Sequence, residues 1–221
     1  MLASMEHRAP EVASDGIWLV LAELNHRVGN ELQAALSALR LAKRELGSPE
    51  PARFIEEAEV RLQCFGDVHQ LLDRQRYQGP LAQRLEALCR ATSLAKAAPL
   101  GIRLTLALDD VTAEEETAWT VCVVAFELMT NAFKHAFPRG PPGVVGVVLR
   151  QEAEAVLLTV ADNGVGGGVG GRSADTIRQA PGFGSGIVTR LAERLGGYVT
   201  RVSGPVGSTT TFIVPAAPRL Q

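Results

Sequence analysis

The chain has 221 residues, 46% of them hydrophobic and 21% charged, with a formal net charge of −2. That length suits one large or two small domains with a buried core, and so small a net charge offers no general electrostatic reason to bind nucleic acid or an anionic membrane. The apolar run from Gly16 to Leu24 is shorter than the about 20 residues needed to cross a bilayer. The N-terminus lacks the basic and apolar blocks of a signal peptide. Cys64, Cys89 and Cys122 are widely spaced in apolar helical contexts and read as small core residues in a reducing compartment. A cytoplasmic protein with no membrane span is therefore expected.

From Ile17 to Leu46, apolar residues recur in steps of three and four at Leu21, Leu24, Val28, Leu32, Ala35, Leu39, Ala42 and Leu46, which predicts an amphipathic helix. Gly47 to Pro51 supply a stop and a new start. A second stripe follows at Ile55, Ala58, Leu62, Phe65 and Leu72. Two such helices form a hairpin that buries its stripe incompletely, and a four-helix bundle made by two chains would complete it. His26 lies nearly opposite Leu21, Leu24 and Val28 at about 100° per residue, hence on the solvent face. An exposed imidazole is mostly neutral at pH 7, with a reference pKa of about 6.5, and so offers a ring nitrogen as nucleophile. A solvated surface histidine fits the same pattern.

Composition changes near Tyr77 to Pro80, where a boundary is placed. The expected organisation is a tail over 1–15, a helical hairpin over 16–78 and an α/β unit over 79–221. In the last unit a helix over 81–97 precedes an alternating strand, Ile102 to Leu108. A long helix over 113–137 begins with Glu114, Glu115 and Glu116, as the helix dipole favours. Strands follow at Val144 to Arg150 and Ala155 to Asp162. A glycine-rich stretch then leads into a helix ending near Leu195, and two strands, "GYVTRV" and "STTTFIVP", close the chain. The fold class is α+β, with helices layered on a sheet.

Three clusters carry candidate chemistry. In "ELMTNAFKHAF", Glu127 and Asn131 are four apart and share a helix face. Asparagine is a poor helix former, so its amide either ligates a hard cation such as Mg²⁺ or is simply exposed. In "VADNGVGGG", Asp162 ends a strand, and Gly164 and Gly166 allow a sharp turn. A carboxylate there suits the amino group of a base, and an ordinary Asp-Asn-Gly turn fits equally. In "GFGSGIVTRLAERLGG", Gly182, Gly184 and Gly186 stand immediately before a helix, whose N-terminal amides suit phosphate oxygens. No strand leads directly into that loop, which argues against a Rossmann fingerprint.

Taken in this order and spacing, the three clusters resemble the asparagine box and two glycine boxes of the GHKL ATPase superfamily. The upstream "ELNHRVGNELQ" resembles the phosphoacceptor box of HWE-like histidine kinases, H-R-x-x-N-x-L, met here by His26, Arg27, Asn30 and Leu32. The resemblance runs from about Glu23 to Pro215. It implies a dimeric helical hairpin followed by a Bergerat-type α/β sandwich that binds ATP and Mg²⁺. By that resemblance Asn131 would coordinate the Mg²⁺, with Lys134 and His135 close to the phosphates. Asp162 would hold the adenine amino group, Gly164 and Gly166 would shape the base pocket, and Gly182, Gly184 and Gly186 would lie at the lid hinge. His26 would take the γ-phosphoryl group. Many related kinases have an acid directly after the histidine; here that residue is Arg27, and Glu127 is the candidate base.

The activity so implied is an ATP-dependent histidine autokinase of a two-component system, passing its phosphoryl group to an aspartate on the receiver domain of a response regulator. An alternative is a histidine phosphotransferase that relays phosphate between regulators without using ATP. A serine-kinase anti-sigma factor of the same superfamily would not need the hairpin or His26. The tail over 1–15 is too short for a sensory domain, so the chain is either a fragment or takes its input from a separate sensory partner.

Overall fold

The computed structural model describes residues 32, 35–37, 39–41, 43, 49–73, 79–138, 143–166 and 183–216. His26 and Gly182, both singled out above, lie outside the described residues.

Helix α1 spans Pro49–Leu71. The described residues between 32 and 43 are helical too, and Lys43 Nζ lies 3.4 Å from Glu56 and 3.6 Å from Glu59, joining that segment to α1. Of the first expected stripe, Leu32 and Leu39 are half-buried and Ala35 is exposed, while Leu36, outside that stripe, is buried. The lower half of α1 turns Cys64 and Val68 inward, and Val68 belongs to the main core of the α/β layer. Leu41 and Val60 remain 62% and 52% exposed.

The second part opens with α2 (Leu81–Thr92). Its expected continuation to residue 97 is helical but not α-helical: Ser93–Ala97 form a π-helical turn and Ala98–Leu100 a 3-10 turn. Pro99 explains the change, since it removes an amide donor and crowds the preceding turn. Strand β1 (Ile102–Leu108), helix α3 (Glu115–His135), β2 (Gly143–Glu152), β3 (Ala155–Asp162), α4 (Phe183–Arg194), β4 (Tyr198–Gly204) and β5 (Gly207–Pro215) follow.

The five strands form one sheet in the order β1-β2-β3-β5-β4. β1 and β2 are parallel, with α3 as the crossover, and every other pair is antiparallel. Burial alternates along β2 and β3, because only one face is covered. Val145, Val147, Leu149, Val156, Leu158, Phe212 and Val214 line that face, and against them pack Val121, Cys122, Ala125 and Met129 of α3, Leu85 and Leu88 of α2, and Val188 and Ala192 of α4. The other face is half exposed, with Thr159 and Thr211 hydroxyls 3.1 Å apart across strands. The α+β class and its helix-on-sheet layering hold, and all three cysteines are buried and free.

Candidate functional site

Helix α3 is amphipathic in a way that separates packing from chemistry. Its inward face carries Ala118, Val121, Cys122, Ala125, Met129, Ala132 and Phe133, all buried. Glu127 and Asn131 lie half-buried on another side, one turn apart, and Lys134 is exposed another turn on. Asn131 Nδ2 donates to Glu127 Oε1 at 3.3 Å. That contact fixes the amide with its nitrogen toward the carboxylate, and Oδ1 accepts no hydrogen bond among the described residues. Lys134 and His135 occupy the last turn, where cations complement the helix dipole.

The Asp162 turn is docked onto the end of that same helix. Asp162 Oδ1 accepts from Gly164 N at 3.0 Å, an Asx turn that ends β3. Asn163 holds the neighbouring strand, its Oδ1 accepting from Val144 N at 2.7 Å. The next amide, Val165 N, donates to Ala136 O at 2.9 Å, at the C-cap of α3. The approach is close enough to require glycine: a Cβ on Gly164 would sit 2.1 Å from the Ala136 oxygen. Gly166 has φ +63° and would place a Cβ 2.0 Å from Gly204 O, so the turn is held between α3 and the β4–β5 hairpin. Two clusters separated in sequence thus form one corner, with the asparagine helix on one side and the aspartate turn on the other.

The third cluster needs a correction. Gly184 and Gly186 do not precede a helix; they lie within the first turn of α4. Glycine's helix penalty is modest, about 1 kcal/mol, and the downstream apolar residues Val188 and Ala192 anchor the helix in the core. Arg194, at the other end of α4, pairs with Glu116 in the first turn of α3 at 2.8 Å. The N-terminal turn of α4 is at the opposite end of that helix from this ion pair. Gly186 there is exposed, and a Cβ on it would meet nothing within 4 Å.

Oxygen donors from Glu127 and Asn131 suit a hard cation. Among the described residues no group of three or more His, Cys, Asp or Glu could hold a metal by itself. A Mg²⁺ at Asn131 would therefore draw its remaining ligands from water and from a bound polyphosphate, which is how Mg²⁺ is commonly held. The residues fit that ion in a nucleotide complex.

One residue of the site carries no motif. Lys96, in the π-turn, donates to Thr130 Oγ1 at 3.2 Å. Burial pushes its ammonium below the ordinary lysine range, the charge of Lys134 adds to that, and Glu127 opposes it. Its only trace in the sequence is a single charge within "SLAKAAPL".

Residues 86–214 match the family model of the histidine kinase-like ATPase domain, and residues 23–94 match that of a histidine kinase region containing His26. The chain belongs to the histidine kinase-like ATPase family. A sensor histidine kinase of Mycobacterium tuberculosis, PdtaS, is 26% identical over 148 residues, which is 66% of this chain and 30% of that protein. The chain thus spans less than a third of the length of this curated relative. The histidine kinase domain of the blue-light activated histidine kinase from Erythrobacter litoralis EL346 superposes with a TM-score of 0.56 at 21% identity, covering 85% of this chain and 96% of that one. The longer structure of the same kinase gives 0.55 at 22%, covering 87% and 60%. These likenesses establish a histidine kinase fold. The match over residues 23–94 runs past the expected boundary at residue 78 and through α2, and the match over residues 86–214 begins within α2. Among the described residues no helix is long and apolar enough to cross a membrane.

Proposed function

We propose that the chain is an ATP-dependent histidine autokinase of a two-component system, working in the cytoplasm. The observation that carries this reading is the docking of the Asp162 turn onto the end of the Asn131 helix through Val165 and Ala136. It makes one corner from the two residues suited to opposite ends of a nucleotide. Asp162 accepts a hydrogen bond from the adenine amino group, and Gly164 and Gly166 leave room for the base. Asn131 lies toward the phosphates, with Lys134, His135 and the glycines Gly182, Gly184 and Gly186 around them. Mg²⁺ would be held through Asn131 and would supply charge neutralisation to the phosphate oxygens.

The nucleophile is a ring nitrogen of His26, which attacks the γ-phosphorus as the bond to the bridging oxygen breaks and ADP leaves. The imidazole proton passes to Glu127, whose position beside Asn131 puts a carboxylate next to the metal site. The reaction needs mainly positioning and charge stabilisation. The phosphoryl group then moves to an aspartate of a receiver domain, leaving His26 free for another cycle. We place the hairpin at 16–78 and the ATP-binding unit at 79–221, with the exposed Leu41 and Val60 available to a second copy in a homodimer. Input from a separate sensory partner suits this arrangement.

Incubation with γ-labelled ATP and Mg²⁺ tests the proposal. An acid-labile, alkali-stable label that is absent from His26→Ala supports it. Equal labelling of His26→Ala sinks the nucleophile assignment. Failure to bind ATP by calorimetry, with His26 still accepting phosphate from a phosphorylated receiver, would establish the phosphotransferase instead.

A further inference from the structure

Lys96 sits where three elements meet. It belongs to the π-turn Ser93–Ala97, flanked by Ala95 and Ala97, which are 8% and 0% exposed. Single π-turns are uncommon and frequently mark functional positions, because the wider turn redirects one side chain. Here the redirected group is the only charged residue of the segment. Its ammonium lies 3.2 Å from Thr130 Oγ1 and 4.7 Å from the centre of the Phe126 ring, both on α3. The centre of the Phe65 ring, on α1, is 5.9 Å away. Phe126 and Thr130 directly precede Glu127 and Asn131 in sequence, so this cation is held by the residues next to the proposed base and metal ligand. It also feels the charges of both Glu127 and Lys134.

We infer that Lys96 is a positioning residue for phosphoryl transfer, through which helix α1 bears on the Glu127–Asn131 face of α3. The inference rests on the function proposed above. The ammonium tethers the Thr130 turn by its hydrogen bond. Its charge attracts the Glu127 carboxylate and is repelled by Lys134. Because Phe65 shares the same cation, a shift of α1 at this level changes where the charge sits relative to Glu127. The hairpin and the ATP site are thereby joined at a point about two turns before the end of α1. A packing role alone would need no charge at this position: methionine would pack near two phenylalanine rings at least as well.

The test uses the full chain and the rate of label incorporation from γ-labelled ATP. Lys96→Met is expected to lower the rate at saturating ATP roughly tenfold, with the KM for ATP changing less than about threefold. Lys96→Arg, which keeps the charge and stacks on aromatic rings, is expected to recover most of that loss. Phe65→Leu should slow the reaction in the same direction, and the double variant Lys96→Met/Phe65→Leu should be no slower than Lys96→Met, because the ring acts through the cation. A Lys96→Met chain that labels within about twofold of the wild type overturns the role. So does additivity of the two substitutions, or an equal defect in Lys96→Arg. If Lys96→Met does not fold, the Arg and Leu variants alone decide the matter: Lys96→Arg near the wild type with Phe65→Leu slowed supports the role, and any other pair of rates overturns it. A wild-type chain that does not label overturns both this role and the proposed kinase, whereas normal labelling with an indifferent Lys96→Met overturns this role only.

Discussion

The guanidinium of Arg84 donates from Nε to the carbonyl oxygen of Leu71 across 2.8 Å, so the first helix of the α/β layer caps the last turn of the hairpin helix. Arg84 is 1% exposed; it also reaches Asp73 O at 3.4 Å and pairs with Glu115 Oε1 at 2.9 Å. Trp119 Nε1 completes the cap by donating to Leu72 O at 2.7 Å. Helix ends leave carbonyls without intrahelical partners, and this end is satisfied by side chains from α2 and α3.

Removing that cap should be costly. Arg84→Met leaves buried carbonyls without donors and is expected to lose about 3 kcal/mol of unfolding free energy. Trp119→Phe keeps the ring and removes one donor, at about 1 kcal/mol. Urea denaturation measures both, and equal losses from the two variants would contradict the assignment of Arg84 as the principal cap.

Two glycines of the site should respond in opposite directions. Gly164→Ala drives a methyl into the Ala136 backbone oxygen, and a destabilisation of about 1–3 kcal/mol is expected, with loss of ATP binding. Gly186→Ala meets nothing within 4 Å in a helical turn. It should gain about 0.5–1 kcal/mol from the better helix former. Weaker ATP binding by a stabilised Gly186→Ala would report a phosphate contact directly. Thermal melting paired with calorimetry reads both effects.

Asn131 and Asp162 should separate function from stability. Asn131→Ala improves helix propensity and should leave the melting temperature unchanged or slightly raised, while Mg²⁺-dependent labelling falls by about 100-fold or more. Asp162→Asn can still accept the Gly164 amide hydrogen bond, yet ATP affinity should drop about tenfold or more as the charged acceptor is lost. Unchanged ATP affinity in Asp162→Asn would remove Asp162 from the base pocket.

The buried thiols give a pH prediction with a definite sign. Burial pushes Cys122 up from 9.0 to about 12, and burial also raises Cys89. A folded pKa above the unfolded one means stability is fully present below pH 9.0 and is lost as pH rises from there toward about 12. Cys122→Ala should therefore lose less stability than the wild type over that window, by up to about 1.4 kcal/mol per pH unit. Below pH 9, native Cys89 and Cys122 should resist iodoacetamide until the chain unfolds, and rapid native labelling of either would contradict their burial.

Local pattern was enough to place most elements. "IRLTLAL" and "AVLLTVAD" begin and end where β1 and β3 do, because a sheet covered on one face writes its burial into alternate residues. The asparagine and glycine clusters stand out in the sequence because each is a short segment of neighbouring residues. By itself the sequence determined the α+β class, the order of the strands, the bounds of β1 and β3, and the buried cysteines. What only the tertiary structure decided was how those segments meet. Val165 docks on Ala136, Arg84 caps Leu71, Lys96 bridges Phe65 and Phe126, and Gly184 and Gly186 fall inside α4 rather than before it. Such contacts join residues many positions apart through single hydrogen bonds or ring faces, and a contact of that kind imposes no period on the chain from which it could be read.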